Sequence, residues 1–124
     1  FTWEGVSSIV EEVDHPALGI CWDFGHAHYN HRIGSISAEP PESFLQKVIH
    51  THIHDLSPED KTHWPLCEGV VPLSRNCELL QNVGYQGVYN LELDPPRYPN
   101  YENLGEALYE SVTTLKEVVH DYAE

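Results

Sequence analysis

Residues 48–55 read VIHTHIHD. Eight residues rich in β-branched side chains, with polar and apolar positions alternating, predict a strand. Successive strand side chains point to opposite faces, so His50, His52 and His54 share one side and Ile49, Thr51 and Ile53 the other. The aliphatic side suits packing against helices. Three imidazoles on the other side each need a partner if they are enclosed. A shared divalent cation is one economical solution, because neutral imidazole is a common ligand. The plain alternative is an exposed edge carrying solvated histidines.

Working outward, two further apolar stretches resemble strands: residues 18–24 (LGICWDF) and 87–94 (GVYNLELD). Helical patterns separate them. Residues 6–13 place Val6, Ile9, Val10 and Val13 on one stripe, and Asp14-His15-Pro16 ends that helix. Pro40-Pro41 breaks the chain, and residues 42–47 allow one or two helical turns. A polar loop over 57–72 precedes a helix over 73–83, with Gly84 placed as its C′ residue. Pro95-Pro96 breaks the chain again. Residues 101–123 then form a long amphipathic helix with Leu104, Leu108, Val112, Leu115 and Val119 on its apolar face. Strands alternating with helices imply an α/β fold with parallel strands joined by right-handed crossovers. Three strands make a narrow sheet, so the chain is either a small open sandwich or a sector of a larger barrel.

The strand ends carry the chemistry. Asp23 lies where the first strand runs out, with His26 just beyond it, and functional groups of parallel α/β folds collect at such carboxyl ends. Asp23 also suits a helix N-cap. Glu92 sits between Leu91 and Leu93 and therefore faces away from the apolar layer, where a carboxylate is costly unless paired or ligated. Asp94 points the same way. A structural ion pair is the plain reading of Glu92. Asp23, His52 and Glu92 together form a mixed oxygen and nitrogen donor set suited to Mn²⁺, Co²⁺, Mg²⁺ or Zn²⁺. His63, in the loop after the middle strand, is a further candidate for a ligand or a substrate contact. For His28 and His31 the solvated reading is preferred.

Composition narrows the classes. The 124 residues carry 20 acidic against 6 basic side chains, a formal charge of −14, and 40% are hydrophobic. Such a field repels phosphate backbones and disfavours nucleic acid as partner, although bound cations reverse the sign locally. Cys21, Cys67 and Cys77 form no C-x-x-C pair, which disfavours a disulfide framework and a thiolate zinc site and leaves the reducing cytoplasm as the expected compartment. No stretch has the length of a membrane span or the layout of a signal peptide. There is no Met, and a start at Phe1-Thr2-Trp3-Glu4 reads as part of a longer chain.

The segments GICWDFGHA, VIHTHIHD, HWPLCEGVVPL and GYQGVYNLELD, in this order and at these separations, resemble the xylose-isomerase-like TIM-barrel superfamily. That superfamily holds sugar and sugar-phosphate isomerases and epimerases and the endonuclease IV enzymes. The resemblance covers nearly the whole chain. It implies that the strands are the sixth to eighth of a (β/α)₈ barrel, so that residues 1–124 are a partial barrel domain whose first half is absent. A whole barrel takes roughly 250 residues. The resemblance also implies a divalent metal held by Asp23, His52 and Glu92, with Glu92 as one of two acid/base carboxylates. His26 matches a substrate-contact position of the epimerases and a second-metal position of the endonucleases, and His63 a further ligand position of the latter. Three positions depart from the pattern. Pro58 stands where ketose 3-epimerases carry Arg, Lys61 where endonucleases carry Asp, and Cys67-Glu68-Gly69 where Gly-Glu-Gly is usual. The implied activity is a metal-dependent isomerase or epimerase acting on a small sugar by proton abstraction α to a carbonyl. A phosphodiesterase of the endonuclease IV type and an inactive barrel fragment are the alternatives. An unclosed barrel further implies association with the missing half or with another copy.

Overall fold

A computed structural model describes residues 1–94 and 101–123. The break expected at Pro95-Pro96 lies outside the described residues. The elements are α1 (Trp3–Val13), β1 (Ile20–Asp23), α2 (Phe24–Arg32), α3 (Glu42–Leu45), β2 (Val48–His52), α4 (Leu73–Asn82) and α5 (Leu104–Ala123). β1 and β2 pair in parallel, as the alternation of strands and helices predicts.

Local chemistry sets most boundaries. Helix α1 starts three residues before the apolar stripe suggests, because the Thr2 hydroxyl accepts the Gly5 N–H at 2.9 Å and caps it. It stops where Asp14 turns left-handed at φ 45°. Its buried face runs through Trp3 and Ser7, with Val6 and Val10 beside them, while Ile9 (61%) and Val13 (55%) are exposed. The expected stripe is therefore rotated toward Trp3. Gly84, at φ 77°, stands just past α4, and the N–H groups of Gly84 and Tyr85 bond back to Gln81 and Leu80. On α5 the buried line is Ala107, Ser111 and Leu115, so Val112 lies at the open margin.

Three features depart from the sequence expectation. Asp23 ends β1 and at once caps α2, a helix absent from the sequence reading that carries His28 and His31. FGHAHYNHR has little apolar periodicity, so its helicity comes from the cap and from packing of Phe24, Gly25 and Ala27. The middle strand carries a register shift. Ile20 pairs with Val48, but Cys21 pairs with His50, so Ile49 is an extra residue. Ile49 is 59% exposed instead of joining Thr51 and Ile53 in the interior. Its side chain lies over Gly19, where a Cβ would come within 2.6 Å of it.

The third strand, expected over 87–94, is reduced to one parallel bridge between Ile53 and Leu91. The Ile53 N–H donates to Asn90 O at 2.7 Å, and the Glu92 N–H to Ile53 O at 2.8 Å. One step earlier the Thr51 hydroxyl takes the place of the ladder. It donates to Val88 O at 2.7 Å and accepts from the Asn90 N–H at 3.1 Å. The segment still runs alongside β2, so the three candidate strand ends reach the same rim.

The core is aromatic. Trp3, Trp22, Phe24 and Phe44 pack edge-on or tilted, with centroids 4.6–6.3 Å apart. Ile53, Leu73, Cys77 and Leu80 extend it beneath α4. Both flanks of the sheet are apolar clefts. One, of about 230 Å³, is lined by Phe1, Trp3, Cys21 and Phe44 beside β1. The other, of about 520 Å³, lies between Tyr89, Leu91 and the α5 residues Val112, Leu115 and Val119. No described helix is long and apolar enough to cross a membrane.

Candidate metal centre

The pairing of Asp23 with His52 places both side chains at the same level of the rim. The Glu92 N–H bond to Ile53 O sets the third group at that level from the other side. His52 Nδ1 lies 3.5 Å from Glu92 Oε2 and 3.9 Å from Asp23 Oδ2. The two carboxylates and the one imidazole proposed from the sequence thus converge.

Asp23 is densely bonded. Its Oδ1 accepts the His26 N–H at 2.9 Å and lies 2.8 Å from His54 Nε2, and Oδ2 lies 2.8 Å from His26 Nδ1. Burial by itself raises the pKa of this carboxyl. The bonds from His54 and His26 outweigh it and hold the group well below the usual carboxylate range. Asp23 is therefore an anion whose Oδ1 has two close partners, while Oδ2 meets His26 and lies 3.9 Å from His52 Nδ1.

Glu92 is the opposite case. Its Oε2 is buried and has no hydrogen-bond partner. The nearest cationic or ligating atoms are His52 Nδ1 at 3.5 Å and His63 Nε2 at 3.9 Å. A buried carboxylate oxygen left unbonded among imidazoles fits a position meant for a cation or a proton. The donor set, two carboxylates and a neutral imidazole, suits a hard or borderline divalent metal.

His54 also comes close. Ligand atoms of Asp23, His54 and Glu92 lie within 4.8 Å of one another, as do those of His26, His54 and His63. Its ring, however, is wholly buried and engaged at both nitrogens, by Asp23 Oδ1 and by the His63 N–H, which reaches Nδ1 at 2.8 Å. His52 is 38% exposed and turns Nδ1 toward both carboxylates, whereas His54 stands behind Asp23. Gly25 makes room for that ring, since a Cβ there would meet His54 atoms at 2.1 Å.

His26 and His63 border the same space. The His63 ring stacks on His54 with centroids 4.3 Å apart, and lies edge-on to His26 at 5.0 Å. Burial lowers the His63 pKa, helped by His54 and His26 and opposed by Glu92 and Asp23. His50 is set back, its ring 5.4 Å from that of His52. Asp94 is exposed. His28 and His31 face each other along α2, with His31 Nδ1 3.1 Å from Ile36 O.

The loop after β2 is more ordered than its polar sequence suggests. Asp55 is buried, and its carboxylate accepts the N–H groups of Leu56, Gly69 and Val71 at 2.8–3.1 Å. Gly69 is required there, because a Cβ would sit 2.1 Å from Leu56 O. Asp55 and Trp64 exchange both backbone hydrogen bonds. Sequence reasoning gave no role to Asp55 or Gly25. The signal for Asp55 was a carboxylate ending an apolar strand before a loop containing glycine. Pro58, the position of the expected Arg, offers its carbonyl to Arg32 at 3.1 Å, and Arg32 also bonds Asp60.

Comparison with known proteins agrees with this architecture. The model of the xylose isomerase-like TIM barrel family matches residues 1–118. An uncharacterized protein of Methanocaldococcus jannaschii is 33% identical over 98 residues, which is 73% of this chain and 31% of the relative. A second uncharacterized protein of that organism is 37% identical over 79 residues, 60% of this chain and 25% of the relative. The crystal structure of a D-tagatose 3-epimerase-like protein superposes with a TM-score of 0.66 at 28% identity, covering 99% of this chain and 43% of that one. The chain thus spans less than a third of the length of these curated relatives.

Proposed function

We propose, from the premise that this chain belongs to the xylose isomerase-like TIM barrel family, that it carries the metal-binding rim of a sugar or sugar-phosphate isomerase or epimerase. Asp23, His52 and Glu92 would hold the divalent ion, as Mn²⁺, Co²⁺, Mg²⁺ or Zn²⁺. When bound, the ion supplies polarisation of adjacent oxygens of a hydroxy-ketone. Glu92 removes the proton α to the carbonyl, and the resulting enolate is reprotonated on the other face or at the neighbouring carbon. The carboxylate that returns the proton comes from outside these residues, on the part of the barrel that the chain does not span. His26 and His63, at the border of the site, orient substrate hydroxyls.

The observation that carries this reading is the buried, unbonded Glu92 Oε2 at 3.5 Å from His52 Nδ1. A carboxylate oxygen with no hydrogen-bond partner is open to a proton or a cation. The likeness to a D-tagatose 3-epimerase-like protein supports a ketose as substrate class. The test is proton exchange. The intact barrel protein, loaded with Mn²⁺, is incubated in D₂O with ketoses and their phosphates. Deuterium should enter the carbon beside the carbonyl in the wild type and not in Glu92→Gln. Absence of exchange with every ketose offered would overturn the reading.

A phosphodiesterase is the second reading, favoured by the cluster of His26, His54 and His63. Cleavage of a duplex containing an abasic site, without exchange into ketoses, would establish it.

A further inference from the structure

The metal reading gives His54 no role, yet His54 is the wholly buried member of the imidazole cluster. Its two ring nitrogens meet partners of opposite kind. The partner of Nδ1 is the backbone N–H of His63 at 2.8 Å. A backbone N–H only donates, so Nδ1 must present a lone pair. The ring proton then sits on Nε2 and points at Asp23 Oδ1, 2.8 Å away. The carbonyl of Asp55 lies 3.3 Å from Nδ1 and would suit the other tautomer. It is the longer contact, and the His63 N–H would then face an N–H, so the shorter contact decides.

The loop backbone is shaped for this contact. His63 adopts φ 58°, and Asp60 and Cys67 in the same loop adopt φ 65° and 63°. Left-handed backbone at residues other than glycine is uncommon and persists where surrounding structure holds it. Asp55 supplies that hold by bonding the N–H groups of Leu56, Gly69 and Val71.

We propose that His54 is a positioning residue for the metal ligand Asp23: the loop after β2 fixes its proton on Nε2 through the His63 N–H, and that proton engages Oδ1 and holds the carboxylate with Oδ2, which His26 also meets, on the side of His52. This rests on the metal reading for its consequence, but the hydrogen bonding is independent of it. Outer partners of metal ligands typically change metal affinity 10–100-fold when removed.

Imidazole ¹⁵N spectra of the metal-free protein test the hydrogen bonding directly, with His54 assigned by its disappearance in a His54→Gln variant. The expected pattern is an unprotonated Nδ1 and a protonated Nε2. A protonated Nδ1 overturns the proposal whether or not metal binds. Mn²⁺ titration by calorimetry tests the consequence. His54→Phe keeps the bulk without a donor and should weaken binding 10–100-fold, while His54→Gln, whose amide reaches toward Asp23, should restore it to within a few-fold of wild type. Equal loss in both variants, or wild-type affinity in a folded His54→Phe, overturns the positioning role. If the wild type binds no Mn²⁺, the metal reading fails and the proposed role in positioning a ligand falls with it; the spectra then still distinguish that failure from a wrong tautomer.

Discussion

Asp23 and Glu92 face the same space from opposite sides, and their surroundings differ. Asp23 ends a regular strand, caps a helix and has three close nitrogen partners. Glu92 follows a single bridge, and its inner oxygen has no hydrogen-bond partner. Fixed dipoles around the first make it a permanent anion. The inner oxygen of the second meets only imidazole nitrogens at 3.5 and 3.9 Å, beyond good hydrogen-bond distance. One rim therefore combines a carboxylate held by several donors with one whose inner oxygen has none, and the proposed function assigns them the parts of ligand and of proton-transfer group.

The comparison breaks most easily at Glu92. In the intact protein Glu92→Gln should lower turnover by on the order of 10²–10⁴-fold, the usual range for removing a proton-transfer group. Thermal stability should stay close to wild type, because no hydrogen bond to Oε2 is lost. A large fall in melting temperature with turnover retained would mean that Glu92 is structural. On the Asp23 side the expected signature is reversed. Gly25→Ala drives a methyl into the His54 ring, where the clash distance is 2.1 Å. It should cost about 1–3 kcal/mol of stability, as overpacking of a filled core does, and should also weaken Mn²⁺ binding. Chemical denaturation and calorimetry read the two effects.

The contrast also depends on how loosely the Glu92 segment is held. Thr51→Val removes the hydroxyl that bridges Val88 and Asn90. Loss of that bridge should cost about 1 kcal/mol and should raise amide exchange at Asn90 and Glu92 while leaving His26 protected. Uniform loss of protection would show that the two sides are not separable. The smallest effect is expected with acid. Asp23 has its folded pKa below the ordinary value of 3.8, so the unfolded chain binds its proton first. The contribution is complete above pH 3.8 and fades as pH falls toward the lower folded value. Metal-free wild type should lose stability across that interval and Asp23→Asn should lose less. Parallel acid curves would remove Asp23 as the anchored member of the pair.

The fold class and the three converging side chains were legible because they depend on period. Alternation over VIHTHIHD and an acidic residue at each neighbouring strand end need only the geometry of parallel strands. What was not legible depends on contacts between distant residues. Helix α2 has no apolar stripe and exists because Asp23 caps it and Gly25 admits His54. The third strand is a good strand by composition, yet Thr51 takes over its pairing with a side chain. The engagement of His54 at both ring nitrogens turns on one backbone N–H in a loop nine residues further on, which no local pattern encodes. Asp55, to which the sequence assigned no role, is the post around which that loop is wound.

The additional residue at Ile49 has a consequence for the whole rim. Strand side chains count in twos, so a single insertion exchanges inside for outside for everything that follows. Val48 joins the buried cluster, and two positions later His50 begins the imidazole row. Pairing Ile49 in register, without the kink, would force a choice: keep Val48 buried and turn His52 into the helix layer, or keep His52 at the rim and expel Val48. The kink thus acts as a coupling between two codes written on one strand, the first for packing and the second for chemistry.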